Sequence, residues 1–405
     1  MEKADFGVCI LTEAFFPVIG GGETFGLRLA TQLRNQGVNV LVVTRRVRKD
    51  LQSFEAVNGI EIFRVGPVRL GSLAKYFMTF TGFWKLVQLR KKYDIIYVNI
   101  FRVLGVLGVL AAKVLGKKCV LSAACIGEMS GDYPFWEYMG KTQTLTRLLF
   151  RLYIWARNRI LHRADSFVGI SREIEREFSM SGVDPGKVHI VYYGVDTRLF
   201  APLDSMEKTI LRSRLGLPGQ TIFCYSGKLI RGKGLESLLR VWKKLLAYRT
   251  DIHLLFIGAG GNQSLSNEAF LRSFVQQNGV GGTVTFTGYV TNVHEYLQAA
   301  DYFVFPSENE GLGLAIIEAM ATRLPVLATN VGGIPDLVVN RENGYLIPPN
   351  NDEELLAAMM ELLRNPSEAL ELAKKAREKV ESSLTFGATA RAHMDLFLRL
   401  LESRC

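Results

Sequence analysis

Short apolar, β-prone runs recur along the chain at residues 6–11, 38–43, 60–65, 94–100, 118–124, 164–170 and 188–191. They return at 221–225, 253–257, 283–287, 301–305 and 324–328. Each is nearly continuous in Val, Ile, Leu or Phe rather than alternating, the pattern of strands buried on both faces of a parallel sheet. Between them lie helical patterns. Phe25, Leu29, Ala30 and Leu33 share one helix face, and 70–92, 103–116, 314–323, 352–363, 367–381 and 385–401 read as further helices. Regular alternation of strand and helix predicts an α/β fold built from doubly wound parallel sheets. At 405 residues the chain is long enough for two such domains. The run 198–205, with Pro202, is the expected linker, which gives domains over 1–198 and 199–384.

The most informative stretch is 305–344. A buried strand at 301–305 is closed by Pro306 and Ser307, followed by a turn rich in Glu and Gly and then a helix. In such a βαβ unit a ligand crevice lies at the carboxyl ends of the strands. Gly311 and Gly313 let the backbone approach a ligand, and the first N–H groups of the helix favour an anion. Glu310 in the turn and Glu318 in the helix flank that point. On physical grounds alone these carboxylates could equally serve the helix dipole and a solvated helix face.

The residues E-G-L-G-L-A-I-I-E-A-M-A, then L-P-V-L-A-T-N-V-G-G-I-P-D and N-G-Y-L-I-P-P, resemble the nucleotide-sugar signature of retaining GT-B glycosyltransferases. The nearest group is family 4, with its Glu-x7-Glu motif. The resemblance implies two Rossmann-like domains facing a cleft, with the last helix, 385–405, crossing back onto the first. It implies that Glu310 faces the donor sugar, that Glu318 holds the ribose, and that N–H groups near Leu312, Gly313 and Leu314 meet the diphosphate. Gly227, Lys228 and Lys233 match the family's diphosphate loop, with Lys228 where relatives have Arg. Tyr289 and Val290 match the base-binding position, and Gly21 and Gly22 a glycine pair that meets the diphosphate from the first domain. Asp336 stands where many relatives have Glu.

The implied reaction moves a sugar from a UDP- or GDP-linked donor to a lipid-linked or polysaccharide acceptor, with retention of configuration. Lys228, Lys233 and helix N–H groups would carry the leaving charge, so no metal and no further cofactor is expected. The chain shows no Asp-x-Asp, Cys-x2-Cys or His-Glu-x-x-His element. A nucleotide-sugar 2-epimerase on the same fold, or a donor-binding protein without catalysis, are the alternatives.

Charge adds a second theme. The net charge is +10, and the excess of Lys and Arg lies wholly within the first 200 residues. It concentrates in 69–92 and 141–163, where basic residues are interleaved with aromatics such as Phe80, Trp84, Tyr153 and Trp155. That composition suits an anionic membrane face as well as ordinary amphipathic helices. No recognition motif points to nucleic acid. Five scattered cysteines suggest free thiols. With no secretory pattern in 1–5 and no apolar run of spanning length, a cytoplasmic protein, peripheral at the inner membrane face, is expected.

The loop 125–140 is polar and Gly-rich, so it is expected outside the core and lining the cleft. Family members commonly carry a His after each of two first-domain strands, where this chain has Asn99 and Ala124 or Cys125. Some branches instead have G-E-x-x-G-D, as in Gly127 to Asp132 here. Glu128 is therefore the candidate polar or catalytic group of the first domain, with loop capping as the alternative.

Overall fold

The computed structural model describes residues 6–18, 21–66, 68, 74–132, 144–261 and 265–403. The chain divides into two compact units, one comprising Met1–Tyr193 with Phe386–Cys405, the other Gly194–Thr385. The expected linker, 198–205, lies inside the second.

In the first unit the chain runs β1 (Gly7–Thr12), α1 (Gly21–Asn35), β2 (Asn39–Arg45), β3 (Phe54–Val57), β4 (Ile60–Val65) and α2 (Ala74–Leu89). It continues through β5 (Ile95–Asn99), α3 (Phe101–Leu115), β6 (Lys118–Ala123), α4 (Thr144–Leu161), β7 (Ser166–Gly169), α5 (Arg172–Met180) and β8 (Val188–Ile190). Every residue of β1, β5 and β7 is buried, as continuous apolar strands between two helical layers must be. The sheet order is β3-β4-β2-β1-β5-β6-β7-β8. All pairs are parallel except β3–β4. That hairpin was missed from the pattern, although its signal is local. Asn58 and Gly59 both take positive φ, 50° and 77°, the two-residue turn that Asn-Gly favours.

The second unit runs α6 (Ser205–Leu215), β9 (Thr221–Ser226), α7 (Leu235–Leu245), β10 (Ile252–Ile257), α8 (Glu268–Gln277), β11 (Val284–Phe286), α9 (Val293–Ala299) and β12 (Tyr302–Phe305). Then come α10 (Leu314–Ala321), β13 (Val326–Thr329), α11 (Ile334–Leu337), β14 (Tyr345–Ile347), α12 (Asp352–Arg364) and α13 (Pro366–Ser383). Its order is β11-β10-β9-β12-β13-β14, wholly parallel. β14 was not read as a strand from the sequence, where its Y-L-I entered only within the N-G-Y-L-I-P-P of the family signature. Trp242 of α7 is fully buried against this sheet, and its indole N–H donates to Thr283 Oγ1 at 3.1 Å, which removes the penalty of burying it.

α14 (Phe386–Glu402) belongs to the first unit and packs on α1. Its fully buried His393 faces Tyr97 Oη at 3.1 Å and Phe397. On the opposite side α3 packs between α2 and α4.

Both sheets have one point where the chain reverses its direction of growth, between β1 and β5 and between β9 and β12. Loops leaving neighbouring strands diverge there and open a crevice at the carboxyl ends. The candidate chemistry belongs at these two points.

Candidate functional site

In the second unit the switch point lies between the ends of β9 and β12, where Gly227 follows one strand and Pro306 the other. Gly227 takes φ 149° and its N–H donates to Ile257 O at 3.0 Å. Gly258, at the end of β10, sits so close that a Cβ there would lie 2.1 Å from Gly227 O. Gly258 in turn bridges to Gly288, which brings Tyr289 and Val290 to the same edge. Tyr289 is exposed there. Lys228 is exposed too, while its carbonyl accepts from the buried Tyr225 hydroxyl at 3.1 Å.

The loop 227–234 is pressed onto the end of β12. Glu308 N donates to Gly232 O at 3.0 Å, and Gly234, at φ 65°, has no room for a Cβ, which would lie 1.8 Å from Pro306 O. The result is a contact between residues far apart in sequence: Lys233 Nζ lies 2.5 Å from Glu310 Oε2. Both side chains are about four-fifths covered, so the pair is better shielded than a surface ion pair. Ser307 Oγ is 3.5 Å from the same oxygen.

Glu310 is fixed from behind as well. Its carbonyl accepts from Gly333 N at 3.2 Å, and a Cβ on Gly332, at φ 53°, would fall 1.8 Å from it. Only a residue without a side chain permits that approach. The glycine pair 332–333, which entered the sequence analysis only within the family signature, therefore holds the Glu310 backbone. Beyond Gly311 and the buried Leu312, Gly313 takes φ 97° as N-cap of α10 and supplies no side-chain acceptor. The first N–H groups of α10 thus have no side-chain cap, the arrangement that suits an anion. α10 begins only at Leu314, so the rise from Glu310 to Glu318 is helical over its last half alone, and Glu318 is half-buried in the second turn.

Two models of known families match this sequence: "Glycosyltransferase Family 4" over residues 19–199 and "Glycosyl transferases group 1" over 207–379. The chain belongs to the family 4 glycosyltransferases. The glycosyltransferase is 25% identical over 418 residues to a D-inositol 3-phosphate glycosyltransferase of Kineococcus radiotolerans, covering 95% of this chain and 92% of that one. Among solved structures it is similar in fold to sucrose-phosphate synthase of Thermosynechococcus elongatus, with TM-score 0.80 and 24% identity over 98% of this chain and 100% of that one. It also resembles Anabaena HepE in complex with UDP-glucose, with TM-score 0.76 and 20% identity over 97% and 100% of the chains. Its two doubly wound domains are those of the GT-B class.

The remaining candidates of the enzyme, Gly21, Gly22 and Glu128, belong to the first unit. At its switch point, Asn99 ends β5 beside Thr12 of β1. Asn99 is buried, and its Nδ2 donates to Gly22 O at 3.2 Å, so it anchors the start of α1. Gly21 opens that helix, and a Cβ on Gly22 would lie 2.5 Å from Ile100 Cδ1.

The loop after β6 corrects an expectation. Its first part is core: Gly127, Glu128, Met129 and Gly131 are buried, while 133–140 lie outside the described residues. Burial of so polar a segment is allowed because its backbone N–H and carbonyl groups find side-chain partners. Glu177 of α5 accepts from the N–H groups of Gly127, Met129 and Ser130, each at 2.8 Å. Arg157 of α4 donates to the carbonyls of Glu128 and Met129, at 2.9 and 2.7 Å. Glu177 was not singled out from sequence, and Arg157 was read there as one of the membrane-facing cations of 141–163, because acids and arginines on amphipathic helices look like solvated positions. Arg157 is thereby removed from the supposed basic surface.

Glu128 Oε1 accepts from Ala124 N at 2.9 Å and Cys125 N at 3.2 Å, while Oε2 is buried without a partner. Burial pushes its carboxyl up to about 7. The two N–H bonds and Arg102 oppose that shift, and neighbouring Glu177 adds to it. Loop capping, the plainer of the two roles considered for it, is one it performs here.

Exposed apolar side chains gather on neighbouring helices of the first unit. Phe77, Phe80 and Trp84 of α2, Val114 of α3, and Leu149, Leu152, Tyr153 and Trp155 of α4 are each more than half exposed. Arg151 and Lys113 are exposed among them, and Arg159 stacks over Trp155 at 4.5 Å. Residues 69–73 and 141–143, and the side chains of 74–76 and 144–148, Arg147 included, lie outside the described residues. No helix among the described residues is long and apolar enough to cross a membrane, and no group of three metal-ligating side chains occurs among them.

Proposed function

We propose that the enzyme transfers a hexosyl group from a UDP- or GDP-linked sugar to a lipid-linked or polysaccharide acceptor, with retention of configuration and without a metal. The observation that carries this reading is the Lys233–Glu310 contact at the β9/β12 switch point, next to the uncapped start of α10. A cation and a carboxylate beside an anion-favouring helix start suit a diphosphate joined to a sugar. Lys233, Lys228 and the first N–H groups of α10 stabilise charge on the leaving diphosphate. Glu310 accepts hydrogen bonds from donor sugar hydroxyls, Glu318 from the ribose, and Gly288 to Val290 border the base. Gly21 and Gly22 of the first unit are further diphosphate contacts in this reading. Glu128 acts as a polar group of that domain.

The HepE structure, which holds UDP-glucose, supports a nucleotide-sugar donor, and the relative named as a D-inositol 3-phosphate glycosyltransferase supports glycosyl transfer. The apolar and basic face of α2, α3 and α4 supports an anionic bilayer as the surface on which the acceptor is met. The deciding experiment is a thermal-shift panel of nucleotide sugars. A donor at about 100 times its Kd adds roughly 2.7 kcal/mol of stability. Transfer from the stabilising donor is then followed by NMR of the product anomer. Turnover of the donor to an epimer without acceptor would replace this reading with the epimerase.

A further inference from the structure

A cavity of about 530 Å³ opens in the second unit at the amino ends of its central strands, beside Thr221 of β9, Tyr302 of β12 and Pro325 before β13. Because the strands of this sheet are parallel, this is the edge opposite Gly227, Lys233 and Glu310. Lys208 and Arg212 of α6 and Arg323 line it, against a single carboxylate, Asp301. That carboxylate is already engaged: it accepts from Lys208 Nζ at 2.7 Å, Arg212 Nη2 at 2.6 Å and Ile222 N at 2.7 Å. Arg212 directs its other donors to the carbonyls of Ala299 and Gln220. The Lys208 ammonium has donors beyond its Asp301 bond. The Arg323 side chain has no ion-pair or hydrogen-bond partner among the described residues. The wall is left with cationic excess.

Arg323 occupies its position against a backbone preference. It has φ 59° just after α10, with its N–H donating to Met320 O and that of Leu324 to Ala319 O, both at 3.0 Å. This double bond pattern is a Schellman cap, whose left-handed residue is ordinarily glycine. An L side chain there is sterically disfavoured, so this arginine is held where a smaller residue would fit better.

We propose that this cavity is a binding site for a small phosphate monoester with a hydroxylated body, a sugar phosphate in chemical class, separate from the donor site. Arg323 supplies a planar fork for two phosphate oxygens and Lys208 a second cation. Thr221 and Gln220, which also line the space, and the amide oxygen of Gln298 offer hydroxyl and amide groups to a polyol. The volume lies within the range of small-molecule sites.

The test uses the full chain as the unmodified protein, Arg323→Gly and Lys233→Ala, each melted with millimolar glucose 6-phosphate, glucose or inorganic phosphate. Arg323→Gly relieves the left-handed residue, so its melting temperature without ligand is expected to rise, which shows an intact fold. Glucose 6-phosphate is expected to raise the melting temperature of the unmodified protein and of Lys233→Ala by several degrees and to leave Arg323→Gly unmoved. Glucose should shift none of them. No shift in the unmodified protein overturns the proposal, as does a shift that survives in Arg323→Gly. A shift lost in Lys233→Ala places the phosphate in the donor site and overturns it too. A shift by inorganic phosphate equal to that by the ester overturns the sugar-phosphate assignment.

Discussion

The ammonium of Lys233 lies 2.5 Å from Glu310 Oε2 although the two residues stand 77 positions apart. Glycines let the loops around them pack closely. Gly234 lies against Pro306 and Gly332 against the Glu310 carbonyl, each at a distance that excludes a Cβ. The pair is therefore positioned by backbone packing, and its two members can be separated by mutation.

Glu310→Gln is expected to reduce turnover strongly and leave nucleotide affinity nearly unchanged, since the nucleotide does not require that carboxylate. Glu318→Ala is expected to weaken the nucleotide itself. Titration calorimetry with the nucleoside diphosphate, set beside steady-state kinetics, distinguishes the two. Equal, small effects on activity would remove both residues from the donor site.

Lys233→Ala is expected to cost on the order of 2–4 kcal/mol of transition-state stabilisation, the scale of losing one donor to a developing oxyanion. Activity of the unmodified enzyme is expected to persist in excess chelator. An absolute requirement for Mg²⁺ or Mn²⁺ would contradict the assignment of that charge to lysine.

Gly332→Ala tests the backbone support. The new Cβ would collide with the Glu310 carbonyl and would sit at φ 53°. Gly116→Ala is the control, since Gly116 has φ 63° but open space around a Cβ. The control should lose about 1 kcal/mol from conformation alone. Gly332→Ala should lose clearly more and should also lower kcat. Similar denaturation midpoints for the two variants would show that the close approach is unimportant.

Glu128 predicts a pH dependence of stability. Burial raises its folded pKa to about 7 from an ordinary 4.5, so the native state holds a proton that the unfolded chain has released. Between those values the unfolded state binds fewer protons, and stability falls as pH rises. The contribution is complete below about pH 4.5 and lost by about pH 7. Glu128→Gln keeps the shape and cannot ionise. Its stability relative to the unmodified enzyme should therefore improve by a few kcal/mol from pH 5 to pH 8, measured by urea unfolding. A constant difference across that range would place Glu128 in a more polar setting.

The apolar face of α2 and α4 predicts binding to anionic liposomes that falls as salt rises, with each cation near the surface contributing about 1 kcal/mol. Replacing Arg151 and Arg159 by Gln, or Phe80 and Trp84 by Ala, should weaken co-sedimentation. Arg157 is left intact in this series, because it holds the Glu128 and Met129 carbonyls. Indifference of the unmodified protein to anionic liposomes at low salt would exclude the membrane and leave glycosyl transfer untouched.

The apolar runs by themselves determined every strand but β3 and β14, because a strand buried on both faces must be continuously hydrophobic whatever its neighbours are. The uninterrupted wording from Phe305 to Gly344 identified the family, since Glu310, Gly311, Gly313 and Glu318 lie within one local strand–turn–helix unit. Contacts between distant segments were not legible. A lysine at 233 and a glutamate at 310 carry no mark of each other until parallel strands β9 and β12 set their ends side by side. The burial of Glu128 depended in the same way on Glu177 and Arg157, which reach the loop from two separate helices. Hydrophobic pattern is a property of each segment and survives in the linear chain. Hydrogen-bond satisfaction belongs to pairs of segments, and only the tertiary structure decides which pairs meet.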